Sequence, residues 1–288
     1  MKKIVSSIVV AGLLATSLCG ADAKTENVKH NAVVNMENKA QSTHLIKEAV
    51  LALQYTNDAY IYLKSKNKDK ALISLKKAIG ELSVVLNNPK APYLLPVNVD
   101  VEAVEYIGDI KNISNQVRMA KVELAKGHLL ATRTILNSLR SEIDVKAVNI
   151  PLATYPDVIS LAIKYLNENK VKEATDVIAM ALNTLVTTNT IIPIPILKAN
   201  ELVMEASKIA KNDKKQALKY LEESKKQLKM AELLGYSSIS NTTYKSLKDK
   251  INNIESKINN NKNTESFFNE LKAKLEEFKN KAVSVISK

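Results

Sequence analysis

The chain of 288 residues has a single cysteine, no tryptophan, three histidines and six glycines. Each scarcity removes a class of function. One cysteine builds no disulfide framework, and a structural zinc site needs cysteine or clustered histidine. His30, His44 and His128 stand in no paired metal spacing, so no metal is expected. Ser-His-Asp chemistry would have to draw on His44 or His128, yet no G-x-S-x-G elbow is present. With so few glycines neither a P-loop nor a dinucleotide fingerprint can be written. The expectation is therefore no cofactor, no catalytic residue and no enzyme. Glu102 with Glu105, or Glu222 with Glu223, could be offered as paired carboxylates, but acids on amphipathic elements are usually solvated.

Arginine is also rare. A formal charge of +12 would ordinarily suggest nucleic acid or anionic lipid. Only Arg118, Arg133 and Arg140 are arginines, whereas bidentate phosphate and guanine recognition favours that side chain. The lysines are scattered over polar helix faces, so no nucleic acid partner is expected, and peripheral membrane contact is not expected either.

What is present begins with an export signal. Lys2-Lys3, an apolar run from Ile4 to Leu18 and then Ala21-Asp22-Ala23 form the three-part secretory pattern, with small residues Ala21 and Ala23 at the positions the peptidase reads. The spacing predicts a signal peptide over 1–23, Sec-dependent export and a periplasmic protein. Cys19 lies inside it, after the large residue Leu18, which does not suit a lipobox. The mature chain then has no thiol, and its stability must come from a core.

Residues 24–42 are polar and aperiodic and read as a flexible tail. From 43 onward helical stripes recur. Leu45, Ala49, Ala52, Thr56, Ala59 and Leu63 form the first; Leu72, Leu75, Ile79, Leu82 and Leu86 form the second, ending at Asn87-Asn88-Pro89. A second pair runs from about Asp109 to Lys126 and from Leu129 to Leu139, punctuated by Gly127 as a left-handed cap. In the segment 149–196, Thr154 and Asp157 have the spacing of an N-terminal capping box and Pro156 falls in the first turn. The stripe Val158, Leu161, Ala162, Tyr165, Leu166 is joined through Asn167–Lys170 to a second, Val171 to Leu185, and so short a joint makes the helices antiparallel. Ile192-Pro193-Ile194-Pro195 then interrupts the helix. Asp213 and Gln216 form another box before Ala217.

Val97 to Glu102 alternate with period two, and a second alternating piece, Ile143-Asp144-Val145, leads through Val148 and Ile150 to Pro151; together they predict a small sheet. The fold class is mainly α: antiparallel helix pairs joined by proline-containing connectors, a small β element and a C-terminal helical hairpin. Ala71, Ala131, Ala174 and Ala217 enter the second helix of each pair, the last three 43 residues apart, so the pairs form a loose array.

Leu95-Pro96-Val97-Asn98-Val99, Leu139-Arg140-Ser141-Glu142-Ile143, Ile150-Pro151-Leu152-Ala153-Thr154-Tyr155-Pro156, Lys172-Glu173-Ala174 and Ile192-Pro193-Ile194-Pro195-Ile196-Leu197 resemble the YfdX family of exported bacterial proteins. The resemblance covers roughly Thr43 to Tyr236 and implies a mainly helical periplasmic protein associated with envelope or acid-stress regulation. It brings no catalytic residue with it. The expected boundaries are a YfdX-like helical domain over 43–238 and a C-terminal hairpin over 239–288.

That hairpin carries Leu247, Ile251, Ile254 and Ile258, then Phe268, Leu271, Leu275, Phe278, Ala282 and Ile286. Its stripe either folds on itself or on the array, or drives homo-oligomerisation. Tyr93, Tyr106 and Tyr155 lie beside the proline connectors, where they either plug joints or form a groove for a protein client or small molecule. Two function classes follow: a non-catalytic binding or stress-protection protein, or a structural module docking itself or an envelope partner through its helices.

Overall fold

The computed structural model describes residues 27–34, 44–236, 242–281 and 284–286. The expected signal of 1–23, with Cys19, Ala21 and Ala23, lies outside the described residues, as does Ala282. Eleven helices and four strands are found among the described residues. They are α1 (27–34), α2 (His44–Lys64), α3 (Lys68–Leu86), β1 (Leu94–Val104), α4 (Ile110–Ala125), α5 (Leu129–Ser138), β2 (Glu142–Pro151), α6 (Tyr155–Asn167), α7 (Val171–Asn183), β3 (Val186–Pro193), α8 (Ile194–Ile209), α9 (Lys214–Leu233), α10 (Tyr244–Asn259), α11 (Glu265–Lys281) and β4 (Ser284–Ile286). The strands are hydrogen-bonded in the order β1-β2-β3-β4. Helix pairs and a small sheet are thus as the periodicity predicts.

The chain divides into two compact units. One is built on α2, α3, α6 and α7. Ala49, Ala52, Ala59, Leu63, Ala71, Leu75, Ala78, Leu82, Tyr155, Ile159, Ala162, Leu166, Ala174, Ile178 and Ala181 form its core. Alanines at the crossing points let the helices approach closely, while each leucine or isoleucine removed from water contributes about 1.5–3 kcal/mol. The turns within the helix pairs use left-handed Lys66 (φ 58°) and Asn169 (φ 59°), and Lys68 Nζ donates to Asn169 Oδ1 across them. Asn67 caps α3 by accepting from the Lys70 amide at 3.1 Å. Thr154 does not make the expected capping box; its side chain forms no cap hydrogen bond, and Pro156 and Asp157 alone mark the start of α6. Leu152 N donates to Tyr93 O at 3.1 Å, extending the β1–β2 pairing past the strand ends.

The other unit is built on α8 to α11, with α1, α4 and α5. Ala199, Leu202, Val203 and Ala206 of α8 and Ala217, Leu221, Leu228 and Ala231 of α9 share one core with Leu247, Ile251, Ile254 and Ile258 of α10 and Phe268, Leu271, Leu275 and Phe278 of α11. Of the alternatives open for the C-terminal hairpin, folding on itself, packing on the array or self-association, the structure shows α10 and α11 sharing one core with α8 and α9. Gly127 (φ 77°) and Gly235 (φ 86°) end α4 and α9 in the left-handed region, as expected of glycine caps.

Two further expectations change. The tail over 24–42 contains α1, with Val33 buried and Lys29 paired to Glu105 at 3.1 Å. The stripe read as helix to Leu185 stops at Asn183, and Val186–Pro193 is a strand. Six of the seven residues in its Val-Thr-Thr-Asn-Thr-Ile-Ile run are β-branched, and that chemistry prevails over the helical spacing. Pro193 ends β3, while Pro195 sits in the first turn of α8, where a missing N–H costs little.

Candidate functional site

In the unit built on α8 to α11, β1 hands over to α4 through Glu105-Tyr106-Ile107-Gly108-Asp109. Asp109 accepts from the Asn112 amide at 2.7 Å and so fixes where α4 begins. Glu105 lies between Lys198 of α8 and Lys29 of α1, hydrogen-bonded to Lys198 and 3.1 Å from Lys29. Burial opposes its ionisation, but the two ammonium groups prevail and hold its carboxyl below the usual 4.5. The loop is thereby tied down at both ends.

Between these ties the loop borders an open cleft of about 640 Å³. Tyr106, Ile107, Ile194, Pro195 and Met230 supply apolar surface, and Lys111, Lys198, Lys226, Asp109 and Glu223 supply charge of both signs. Ile107 is 81% exposed. Burial and the Asp109 carboxylate raise the Tyr106 hydroxyl above 10, so it remains a neutral donor at physiological pH. The lining contains neither histidine nor cysteine. Chemically, the cleft offers apolar burial, one aromatic face and rim charges, a combination suited to binding.

Beside it Arg140 donates to Glu142 at 2.7 Å and to Asp144, while the Tyr236 hydroxyl accepts from the Ser141 amide at 2.8 Å and donates to Glu142 at 2.8 Å. Burial and the nearby Glu142 carboxylate raise Asp144 above 3.8, against the pull of Arg140. This network anchors the start of β2, and the carbonyl of Ser141, just before the strand, accepts from the Ile194 amide at 3.0 Å. Tyr236 and Lys198 had no sequence signal of their own; only the Gly108-Asp109 turn ahead of a helix could have marked the loop.

Of the three tyrosines singled out from the sequence, Tyr106 alone lines this cleft. Tyr93 and Tyr155 belong to the other unit. Tyr93 is 72% exposed, whereas Tyr155 is 0% exposed and plugs the core between the helix pairs. The Tyr155 hydroxyl has no hydrogen bond of regular geometry, and burial pushes it up to about 12 with the Thr56 hydroxyl as its polar neighbour. It offers nothing to a ligand from outside. Glu222 is paired with Lys225 at 2.7 Å and Glu223 with Lys226 at 3.0 Å. His128 meets Glu123 at 2.7 Å. Among the described residues no group of three or more His, Cys, Asp or Glu could hold a metal ion, and no helix is long and apolar enough to cross a membrane.

Comparison with known proteins bears on this arrangement. The model of the family described as YfdX protein matches residues 52–191. That span contains the loop 105–111 and Ser141 but not the α8 and α9 walls of the cleft. No curated protein matches the chain. A solved structure of YfdX from Salmonella Typhi is 16% identical, covers 51% of this chain and 91% of its own, and superposes with a TM-score of 0.36.

Proposed function

We propose that this chain, which belongs to the YfdX family, is a non-catalytic exported binding or stress-protection protein that takes its ligand or client in the Tyr106 cleft. The observation that carries the reading is the juxtaposition of Tyr106 and the exposed Ile107 on a loop held at Glu105 and Asp109. A rigidly held apolar loop with charge of both signs around it suits a client segment or an amphipathic small molecule. The cleft volume falls within the range of small-molecule and peptide sites, roughly 300–1,000 Å³.

The reading includes export to the periplasm, supported by the first 23 residues of the sequence. Cell fractionation with N-terminal sequencing tests that part: the mature protein begins at Lys24, and a cytosolic chain starting at Met1 would sink it. Titration calorimetry of the purified protein with an acid-unfolded client tests the site. Saturable binding that weakens at least tenfold, about 1.4 kcal/mol, in Y106A/I107S supports the cleft, and equal binding by both proteins removes it. The binding reading is preferred over assembly through the C-terminal seam because Leu247, Ile251, Ile254 and Ile258 are buried within their own unit.

A further inference from the structure

Among the described residues the α4–α5 hairpin is unlike the other helix pairs. Across its two helices only Ile113, Ala120 and Thr132 are buried. Met119, Val122, Leu124, Leu129, Leu130 and Leu136 all stand exposed, with Leu129 at 68% and Leu130 at 80%. Leu124, Leu129 and Leu130 gather at the turn around Gly127, so the tip of the hairpin is its most apolar part. Along α5, Leu129, Arg133 and Leu136 follow one another at helical spacing, and along α4 Met119 and Val122 share a face with Lys111, Arg118 and Lys126.

The charge on this element is mostly of one sign. Lys111, Arg118, Lys121, Lys126 and Arg133 face a single carboxylate, Glu123, which is already engaged by Lys126 at 3.0 Å and His128 at 2.7 Å. Those two hydrogen bonds, that of His128 foremost, hold Glu123 below its usual value. The face is therefore leucine at the tip and cationic behind it.

We propose that the α4–α5 hairpin docks on an anionic lipid surface, with Leu124, Leu129 and Leu130 entering the acyl boundary and Lys121, Lys126 and Arg133 lying among the headgroups. Charge complementarity selects this occupant. A second copy would bring the same cations against one another, which disfavours a dimer through this face. A bilayer accepts both halves of the pattern, since apolar tips partition into the acyl region while long basic side chains extend to the phosphates. The hairpin is too short and too polar to cross the membrane, so the contact is peripheral.

The test is co-sedimentation of the full chain, recovered from an exporting host, with vesicles of pure phosphatidylcholine and with vesicles of equal parts phosphatidylcholine and phosphatidylglycerol. Binding to the anionic vesicles and not to the neutral ones is expected, falling with added salt. L129E/L130E lowers the partition at least tenfold, and K126Q/R133Q lowers it several-fold while leaving both leucines in place. All these side chains are exposed, so circular dichroism of both variants matches the parent. Three results overturn the proposal: no vesicle binding, vesicle binding that L129E/L130E leaves unchanged, or a dimer that L129E/L130E dissociates in the absence of vesicle binding.

Discussion

The ring of Tyr106 lies over Gly108 so closely that a Cβ at that glycine would stand 2.6 Å from the tyrosine hydroxyl oxygen and 2.7 Å from two ring carbons. The glycine is there for space, since its φ does not lie in the left-handed region. Gly108→Ala therefore swings Tyr106 off the loop while leaving the core of the unit untouched. Thermal unfolding should change by no more than about 1 kcal/mol, whereas client binding falls by the same order as in a Tyr106→Ala variant. A G108A protein that binds like the parent would separate the ring from the site.

Tyr155 makes a different prediction because it is buried without a regular hydrogen bond. Tyr155→Phe keeps the shape and removes the unsatisfied hydroxyl, so stability at neutral pH is unchanged or rises by about 1 kcal/mol. Tyr155→Ala opens a cavity and costs about 3–5 kcal/mol. The pH dependence follows from the raised value of about 12 in the fold against 10 unfolded. The unfolded chain releases this proton first, so its contribution is intact below pH 10 and is lost as pH rises toward 12. Denaturant titrations across that window should show a smaller alkaline loss in Y155F than in the parent.

Glu105 has the opposite sign. Its folded value lies below 4.5, so the stability it contributes is present above pH 4.5 and disappears as pH falls through the folded value. Glu105→Gln weakens its ties to Lys198 and Lys29 and should cost about 1–2 kcal/mol at pH 7. Urea unfolding at pH 7 and at pH 3 measures this, with the gap between parent and variant closing at the lower pH. A gap independent of pH would mean that the ion pairs contribute nothing.

The alanines at the start of each second helix give a paired prediction. Ala174 is fully buried and Ala131 is exposed. Ala174→Leu overpacks the core and costs about 1–3 kcal/mol, while Ala131→Leu stays within about 0.5 kcal/mol. Thermal melts of the two variants decide it.

That pair also shows how much was legible in the sequence. The stripes of α2, α3, α6, α7, α10 and α11 are visible because each packs on neighbours near in sequence, and Ala49, Ala52, Leu75 and Ile251 are buried as their spacing demands. Register alone made Ala131 equivalent to Ala174. What it could not show is that α5 packs little beyond α4, leaving Leu129 and Leu130 in solvent. Strand β3 was hidden because its seven residues before Pro193 are all half-buried and carry no alternation. For the cleft, proximity of tyrosine to proline identified Tyr106 but equally selected Tyr155, which proline geometry places in a core. Lys198 meets Glu105 across 93 residues, a relation that no local pattern encodes.

The most direct measurement is light scattering from an acid-unfolded client brought to neutral pH with an equal amount of the exported protein. The parent should hold scattering down and the Y106A/I107S variant, equally folded by circular dichroism, should not. Scattering suppressed alike by both, or by neither, would contradict a binding role for the Tyr106 cleft.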